Sequence, residues 1–422
     1  MSSRLLGLSS LVATSVLLSG LWCSLSFAKN KSRTKSEAVS ATVAPPYEAE
    51  TRLIAIYKLI GVGQAREALP LAAELTKNFP TFQLGHLIYG DLLTMQTKPL
   101  SKLGELPASL NKATNAAAWA ELREESLQRV KALQDRPTPG TIPSQILGLT
   151  ARNTHVIAVD ASKSRLYVLE NSDAGLKLVM DTYISVGKEG VGKYIQGDLK
   201  TPLGVYYVAT PIDPKLLAPL YGGGALPINY PNPFDQRLGK SGSGIWLHGT
   251  MPGRYSRPVK ATDGCVVMAN PDLKKLMAIV PIKTTPVIIA SKLQWVKPEQ
   301  LMGERKQFES SINSWRELKN SGQIDKLYNF YASDFSAYGK SLTAWWPNTV
   351  KDIQKANKQP FQWREVTILS WRSETNDKSS NMMVVTYDEV LPKHKHPVTK
   401  RQYWLQVGNQ WKIFFEGTIA AS

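Results

Sequence analysis

The sequence predicts a multidomain α+β protein: an N-terminal helical segment, a mostly β central domain, and a C-terminal unit of helices followed by a curved antiparallel sheet. Three observations carry that expectation. Up to Asp135 apolar residues recur every three or four positions, the period of helices. Near Thr154 short alternating runs among glycines take over, the period of strands. After Glu304 helical spacing returns and gives way to three strand-like runs. A chain of 422 residues is too long for one ordinary core, so two or three domains are expected.

Residues 1–28 read as a secretory signal. After Arg4, Leu5 to Ala28 carries no charge and ends in Ser26-Phe27-Ala28, a small-x-small cleavage pattern. The stretch is also long enough to span a bilayer, so an uncleaved inner-membrane anchor is the alternative. Bulky Trp22 before Cys23 argues against a lipoprotein anchor. Export to the periplasm is expected either way. Residues 29–46 form a polar, basic, Pro-terminated linker.

Residues 47–136 form the helical region. Ala68, Ala72, Leu75 and Phe79 mark one helix ending before Pro80, and Leu84, Leu87, Ile88 and Leu92 mark the next. The pair resembles one tetratricopeptide hairpin, although a solenoid needs about three such units. WAELREESLQRVKALQD is a third helix, and 137–152 is a Pro/Gly-rich linker.

The central domain is expected over 153–291. HVIAVDASKSRLYVLEN reads strand, turn, strand, with Val156, Ile157, Val159, Leu166, Val168 and Leu169 apolar, and Val287 to Ala290 close it. From 304 to 420, Phe308, Ile312 and Trp315 mark one helix and Ile324, Leu327, Tyr328 and Tyr331 another. Three strands follow, the last folded at Gly408-Asn409. This order resembles the SnoaL-like (nuclear-transport-factor-two-like) α+β cone, a fold that hosts many functions. His394 and His396 fall in the basic stretch LPKHKHPVTK and read as a solvated hairpin loop.

The formal charge is +17, or +16 once residues 1–28, with Arg4 alone, are subtracted. Such a surplus suits carboxylate-rich substrates, polyanions or anionic lipid, or is simply a solvated surface. Export and the lack of a binding motif argue against nucleic acid. The chain has two cysteines, and Cys23 leaves with a cleaved signal. Cys265 then has no partner, which in an oxidising compartment marks either a reactive thiol or a small buried hydrophobe.

Its neighbours favour the thiol. His248 ends the short apolar strand Ile245-Trp246-Leu247, a rigid platform for a base. Cys265 lies in Thr262-Asp263-Gly264-Cys265-Val266-Val267-Met268, a turn feeding a second apolar strand. Adjacent strands joined by a long loop bring the two side chains together, and the N–H groups of Gly264 and Cys265 are expected to face an oxyanion.

HG…[S/T]xGC, preceded by GDLKTPLGVYYV (Gly197 to Val208), resembles the L,D-transpeptidase catalytic domain of the YkuD type over residues 153–291. The resemblance implies a bacterial peptidoglycan enzyme without a cofactor. Cys265 is then the nucleophile, His248 its base, and the Gly249 carbonyl the group orienting the imidazole. The substrate is a stem tetrapeptide, attacked at the L-centred meso-diaminopimelate carbonyl with loss of D-Ala. An amine acceptor makes a crosslink, and water makes the enzyme an L,D-carboxypeptidase. With the C-terminal cone, the build also resembles enzymes that detach lipoprotein from peptidoglycan. Envelope lipoprotein or other wall enzymes are therefore expected partners for the helical and C-terminal domains.

Two positions depart from the family pattern. Asp263 and Val267 stand where a His before the Gly-Cys and an Arg after it are common. Asp263 is expected to face outward, since a carboxylate aimed at the thiol raises its pKa. Arg254, Arg257 or Lys260 is expected to supply the missing charge toward substrate, with Tyr230 also lining the site.

Rival chemistries are weaker. Ser185-Val186-Gly187-Lys188 and Lys240-Ser241-Gly242 match serine-enzyme motifs, but the first ends a strand instead of opening a helix. Zinc lacks ligand spacing. A non-catalytic wall-binding scaffold is the remaining alternative. His86 and His155 read as structural.

Overall fold

The computed structural model describes residues 48–100, 104, 116–355, 360–373, 381–390 and 396–419. The signal-type segment, the 29–46 linker and His394 lie outside the described residues. Helices α1 (Glu48–Gly61), α2 (Ala65–Asn78), α3 (Gln83–Met95) and α4 (Ala116–Gln134) build the N-terminal module. Ala68, Ala72, Leu75, Leu84, Leu87, Ile88 and Leu92, the expected apolar stripe, are its core. The helices of α1–α3 pack in sequence order, as short connections dictate.

Residues 142–148, expected inside a linker, are structured. Strand β1 (Ile142–Pro143) and strand β2 (Ile146–Gly148) have Ile142, Ile146 and Leu147 buried. The Pro/Gly signal that reads as a break marks turns between short strands instead.

The central domain follows with β3 (His155–Asp160), β4 (Arg165–Ser172), β5 (Gly175–Tyr183), β6 (Val186–Gly187), β7 (Gly204–Tyr207), β8 (Ala225–Pro227), α5 (Pro233–Arg237), β9 (Trp246–His248), β10 (Lys260–Thr262), β11 (Val266–Val267), α6 (Asn270–Ile279), β12 (Pro286–Ala290) and β13 (Trp295–Val296). Its main sheet has the order β5-β4-β3-β12-β7. The β3–β4–β5 meander is antiparallel, whereas β12 runs parallel to β3. A smaller sheet, β11-β9-β8, carries the site.

Both faces of the main sheet are buried, and strand alternation divides them. Ile157, Val159, Leu166, Val168, Val287 and Ile289 face one core with Leu247, Val266 and α6 residues Leu273 and Leu276. Val156, Ala158, Tyr167, Leu169, Ile288 and Ala290 face the other, which holds the C-terminal domain.

That domain comprises α7 (Met302–Ser321), α8 (Ile324–Tyr328), β14 (Ser336–Ala337), β15 (Lys340–Ser341), α9 (Leu342–Lys355), β16 (Gln362–Arg372), β17 (Asn381–Val390), β18 (Val398–Val407) and β19 (Gln410–Thr418). Phe308, Ile312 and Trp315 are buried on α7 as their spacing predicts. Sequence reading missed α9, whose pattern is interrupted by Pro347. The sheet is β19-β18-β17-β16-β2, so its edge strand comes from residues ahead of the central domain. A register shift between Arg364 and Thr367, with Glu365 at φ 53°, bends β16. Arg401 stacks over Tyr207, 3.2 Å to the ring centre, and Arg152 pairs with Asp388 across the same boundary.

Candidate active site

Strand pairing assembles the site. β9 and β11 run parallel, Val266 opposite Leu247 and Val267 opposite His248. Cys265, one residue before β11, is therefore level with Trp246. Trp246 and His248 share a strand face because side chains alternate, and Cys265 enters on that face. The sixteen residues between His248 and Cys265 in sequence hold the loop and β10 that a parallel pairing demands.

The imidazole is buried, 2% exposed, with Nδ1 2.7 Å from the Gly249 carbonyl. That carbonyl accepts only if Nδ1 carries the proton, which leaves Nε2 as the lone-pair nitrogen. Burial, aided by the Arg257 charge and opposed by the Gly249 bond, pulls His248 down to about 4. Tyr221 packs edge-on against the ring at 5.0 Å. Gly249 itself has no room for a side chain: a Cβ there lies 2.0 Å from Asn270 Oδ1. Asn270 also bonds Gly223 N–H and the Thr250 carbonyl, bracing the turn after His248.

Cys265 is partly buried, and its Sγ donates to the Gly244 carbonyl at 3.4 Å. Burial pushes the thiol up from its ordinary value, and Asp263 adds to this. The Trp246 N–H and the charges of Arg257 and Lys193 pull the other way. Both shifts favour neutral forms, so the resting pair is thiol and imidazole.

The turn before the cysteine corrects one expectation. Gly264 N–H donates to Thr262 Oγ1 at 3.0 Å and is not free for an oxyanion, which leaves the Cys265 N–H as the donor of the expected pair. Thr262 Oγ1 in turn donates to the Cys265 carbonyl at 2.7 Å. Gly264 sits at φ +129°, with the Lys200 carbonyl 2.8 Å from where a Cβ would stand.

Of the expected substrate-facing residues, Arg257 is the one whose charge acts on both His248 and Cys265. Arg254 is exposed beside it and depresses the Arg257 pKa after burial's larger effect. Lys260 is exposed on β10, opposite Val186, with no contact to either reactive group among those described. Tyr230 is corrected: it is 5% exposed and its hydroxyl donates to the Ser241 carbonyl, 3.1 Å away. Asp263 faces outward onto Lys188 at 2.8 Å, as expected, yet still raises the thiol pKa through space.

The motif Gly197 to Val208 has a local role that its spacing does not reveal. Asp198 accepts from the N–H groups of Tyr194, Ile195 and Lys200 and from Lys193 Nζ. Thr201 Oγ1 accepts from Gly187 N–H at 3.0 Å. Together they knot the loop that carries Lys193 and Lys200 against the cysteine turn. Ser185, of the rival serine motif, is 1% exposed with its hydroxyl donated to the Pro258 carbonyl.

Residues 154–289 match the L,D-transpeptidase catalytic domain family, YkuD. This chain carries an L,D-transpeptidase domain. Residues 307–417 match the Cds6 C-terminal NTF2-like domain. Bd1075 of Bdellovibrio bacteriovorus is 27% identical with a TM-score of 0.53, over 67% of this chain and 99% of that one. The helical cell shape determining protein Pgp2 from Campylobacter jejuni is 21% identical with a TM-score of 0.51, over 65% and 95%. Both share the pairing of an L,D-transpeptidase domain with an NTF2-like domain. Curated proteins gave no match. In the L,D-transpeptidase domain of this chain, His248, Gly249, Gly264 and Cys265 occupy the HG…GC motif.

Proposed function

We propose that the protein is a periplasmic L,D-transpeptidase acting on peptidoglycan stem tetrapeptides. The observation that carries this reading is the parallel β9–β11 pairing, which puts His248 and Cys265 on one face under the Arg257 charge. As the substrate carbonyl arrives, Cys265 passes its proton to His248 Nε2 and its sulfur bonds the carbonyl carbon. The Cys265 N–H donates to the developing oxyanion. Collapse breaks the C–N bond to D-Ala, and the imidazolium returns the proton to that amine. A neighbouring stem amine then attacks the thioester, forming the crosslink and regenerating the thiol. Arg257 holds the terminal carboxylate of the donor peptide.

Incubation of the purified protein with disaccharide-tetrapeptides tests the reading by product mass. 3–3 linked dimers support transfer, tripeptide monomers reassign the second step to water, and lipoprotein fragments freed from sacculi point to a detaching hydrolase. Cys265→Ala is expected to abolish every product. A carbapenem is expected to acylate Cys265, and an adduct on Ser185 would overturn the assignment.

A further inference from the structure

The loop that carries Arg257 closes on itself only at its start, where Thr250 Oγ1 donates to the Arg254 carbonyl at 2.6 Å and the Arg254 N–H to the Met251 carbonyl. Between β9 and β10 it has no regular structure, and Met251, Pro252, Gly253 and Arg254 are exposed. Tyr255 breaks that run: it is 9% exposed and belongs to the core of the N-terminal helices. Its ring packs against Phe79 at 5.7 Å and Phe82 at 4.7 Å, and its N–H donates to the Thr81 carbonyl. Ser256 donates to Glu125 of α4 at 2.8 Å. One residue on, the Arg257 carbonyl accepts from the Tyr183 hydroxyl at 2.9 Å. That tyrosine lies under Arg129 of α4, 4.0 Å to the ring centre. Arg129 is itself pinned by Glu50 of α1 and by Glu125.

We infer that the N-terminal helical module is a clamp on the substrate loop, with Tyr255 as the positioning residue that sets Arg257 over Cys265 and His248. The inference rests on the reading of Arg257 as the holder of the donor carboxylate. An arginine on an unanchored loop samples many positions, and ordering it before substrate arrives removes that entropy from binding. Ring packing, the Thr81 bond and the Glu125 bond reach Tyr255 and Ser256 from outside the catalytic domain, Tyr183 holds the Arg257 carbonyl from within it, and the four residues before them face solvent. The module therefore contributes to selection of donors that end in a free carboxylate, although it donates no group to the reaction.

The test compares a tetrapeptide donor with its C-terminal amide, using the full chain and its Tyr255→Ala, Tyr255→Phe, Ser256→Ala and Arg257→Ala variants. Tyr255→Ala is expected to raise KM for the free acid about tenfold, with kcat and the amide's KM within about twofold. Tyr255→Phe keeps the ring and is expected to behave as the parent. Ser256→Ala, a milder change, is expected to shift KM about threefold in the same direction. Tyr255→Ala added to Arg257→Ala is expected to cost nothing further. Equal loss on both donors, or no effect of Tyr255→Ala where Arg257→Ala has one, overturns the clamp alone. An Arg257→Ala enzyme that still prefers the free acid overturns the carboxylate reading, and the clamp with it. Amide exchange reads the clamp without activity: residues 250–258 are expected to exchange faster in Tyr255→Ala while β9 and β11 stay protected. Unchanged exchange there overturns it.

Discussion

At the residue scale, burial pushes both His248 and Cys265 toward their neutral forms. With His248 at about 4, Nε2 is free to accept a proton across the mildly acidic and neutral range. The acid limb of kcat/KM is accordingly expected near pH 4, and a limb near the ordinary histidine value would show that the buried ring is not the base. Linkage gives an independent check. The unfolded chain protonates His248 near pH 6.5 and the folded chain near 4, so this group's contribution to stability falls as pH drops through that window. Asp272 acts oppositely: burial raises its carboxyl to about 7, so it adds stability as pH falls from there toward 3.8. His248→Gln removes the first effect and leaves the second. Between pH 7 and pH 5 the variant is expected to gain about 2 kcal/mol relative to the parent, measured by urea unfolding at each pH. Gly264→Ala is a strain test: φ +129° and the Lys200 carbonyl at 2.8 Å predict a loss of about 1–3 kcal/mol, readable in the same assay.

At the element scale, short strands and knotted loops do what longer elements do elsewhere. β9 and β11 hold three and two residues, yet their parallel register brings His248 and Cys265 onto one face. The loop beside the thiol is held by Asp198, whose four donors keep its carboxyl below the ordinary range against the opposing pull of burial. Asp198→Ala is expected to leave global stability within about 1 kcal/mol, because the loop is peripheral, while lowering activity at least tenfold. Amide exchange confined to 188–201 is the accompanying signature, and full activity in that variant would show the knot to be dispensable. Much of this was legible in the sequence. The Gly197–Val208 motif and the HG…GC spacing mark the site, but its internal bonds were not, since one acceptor serving three backbone N–H groups leaves no period. The same holds for Thr262, which takes the Gly264 N–H that spacing alone assigns to an oxyanion.

At the scale of the whole molecule, the catalytic and NTF2-like domains share a core. Val156, Ala158, Tyr167, Val205, Tyr207, Ile288 and Ala290 are in one cluster with Phe308, Trp315, Trp404 and Ile413. Residues 146–148 then add a strand to the C-terminal sheet. Separation exposes an apolar sheet face and an unpaired edge, which is unfavourable for both parts. A single calorimetric transition is expected for residues 137–422, with calorimetric and van't Hoff enthalpies equal; two resolved transitions would contradict the shared core. A chain ending at residue 291 is expected to aggregate.

The sequence by itself determined the order of the three units, the apolar faces of their helices and strands, and which cysteine and histidine make the candidate site. Those follow from local period and from residue chemistry, which are written along the chain. Only the tertiary structure decided that 142–148 belongs to two sheets, that α9 forms despite Pro347, and that the Arg257 charge, rather than that of Lys260, acts on both His248 and Cys265. Each of these depends on pairings between residues distant in sequence, where burial and register choose among arrangements that local pattern leaves equal.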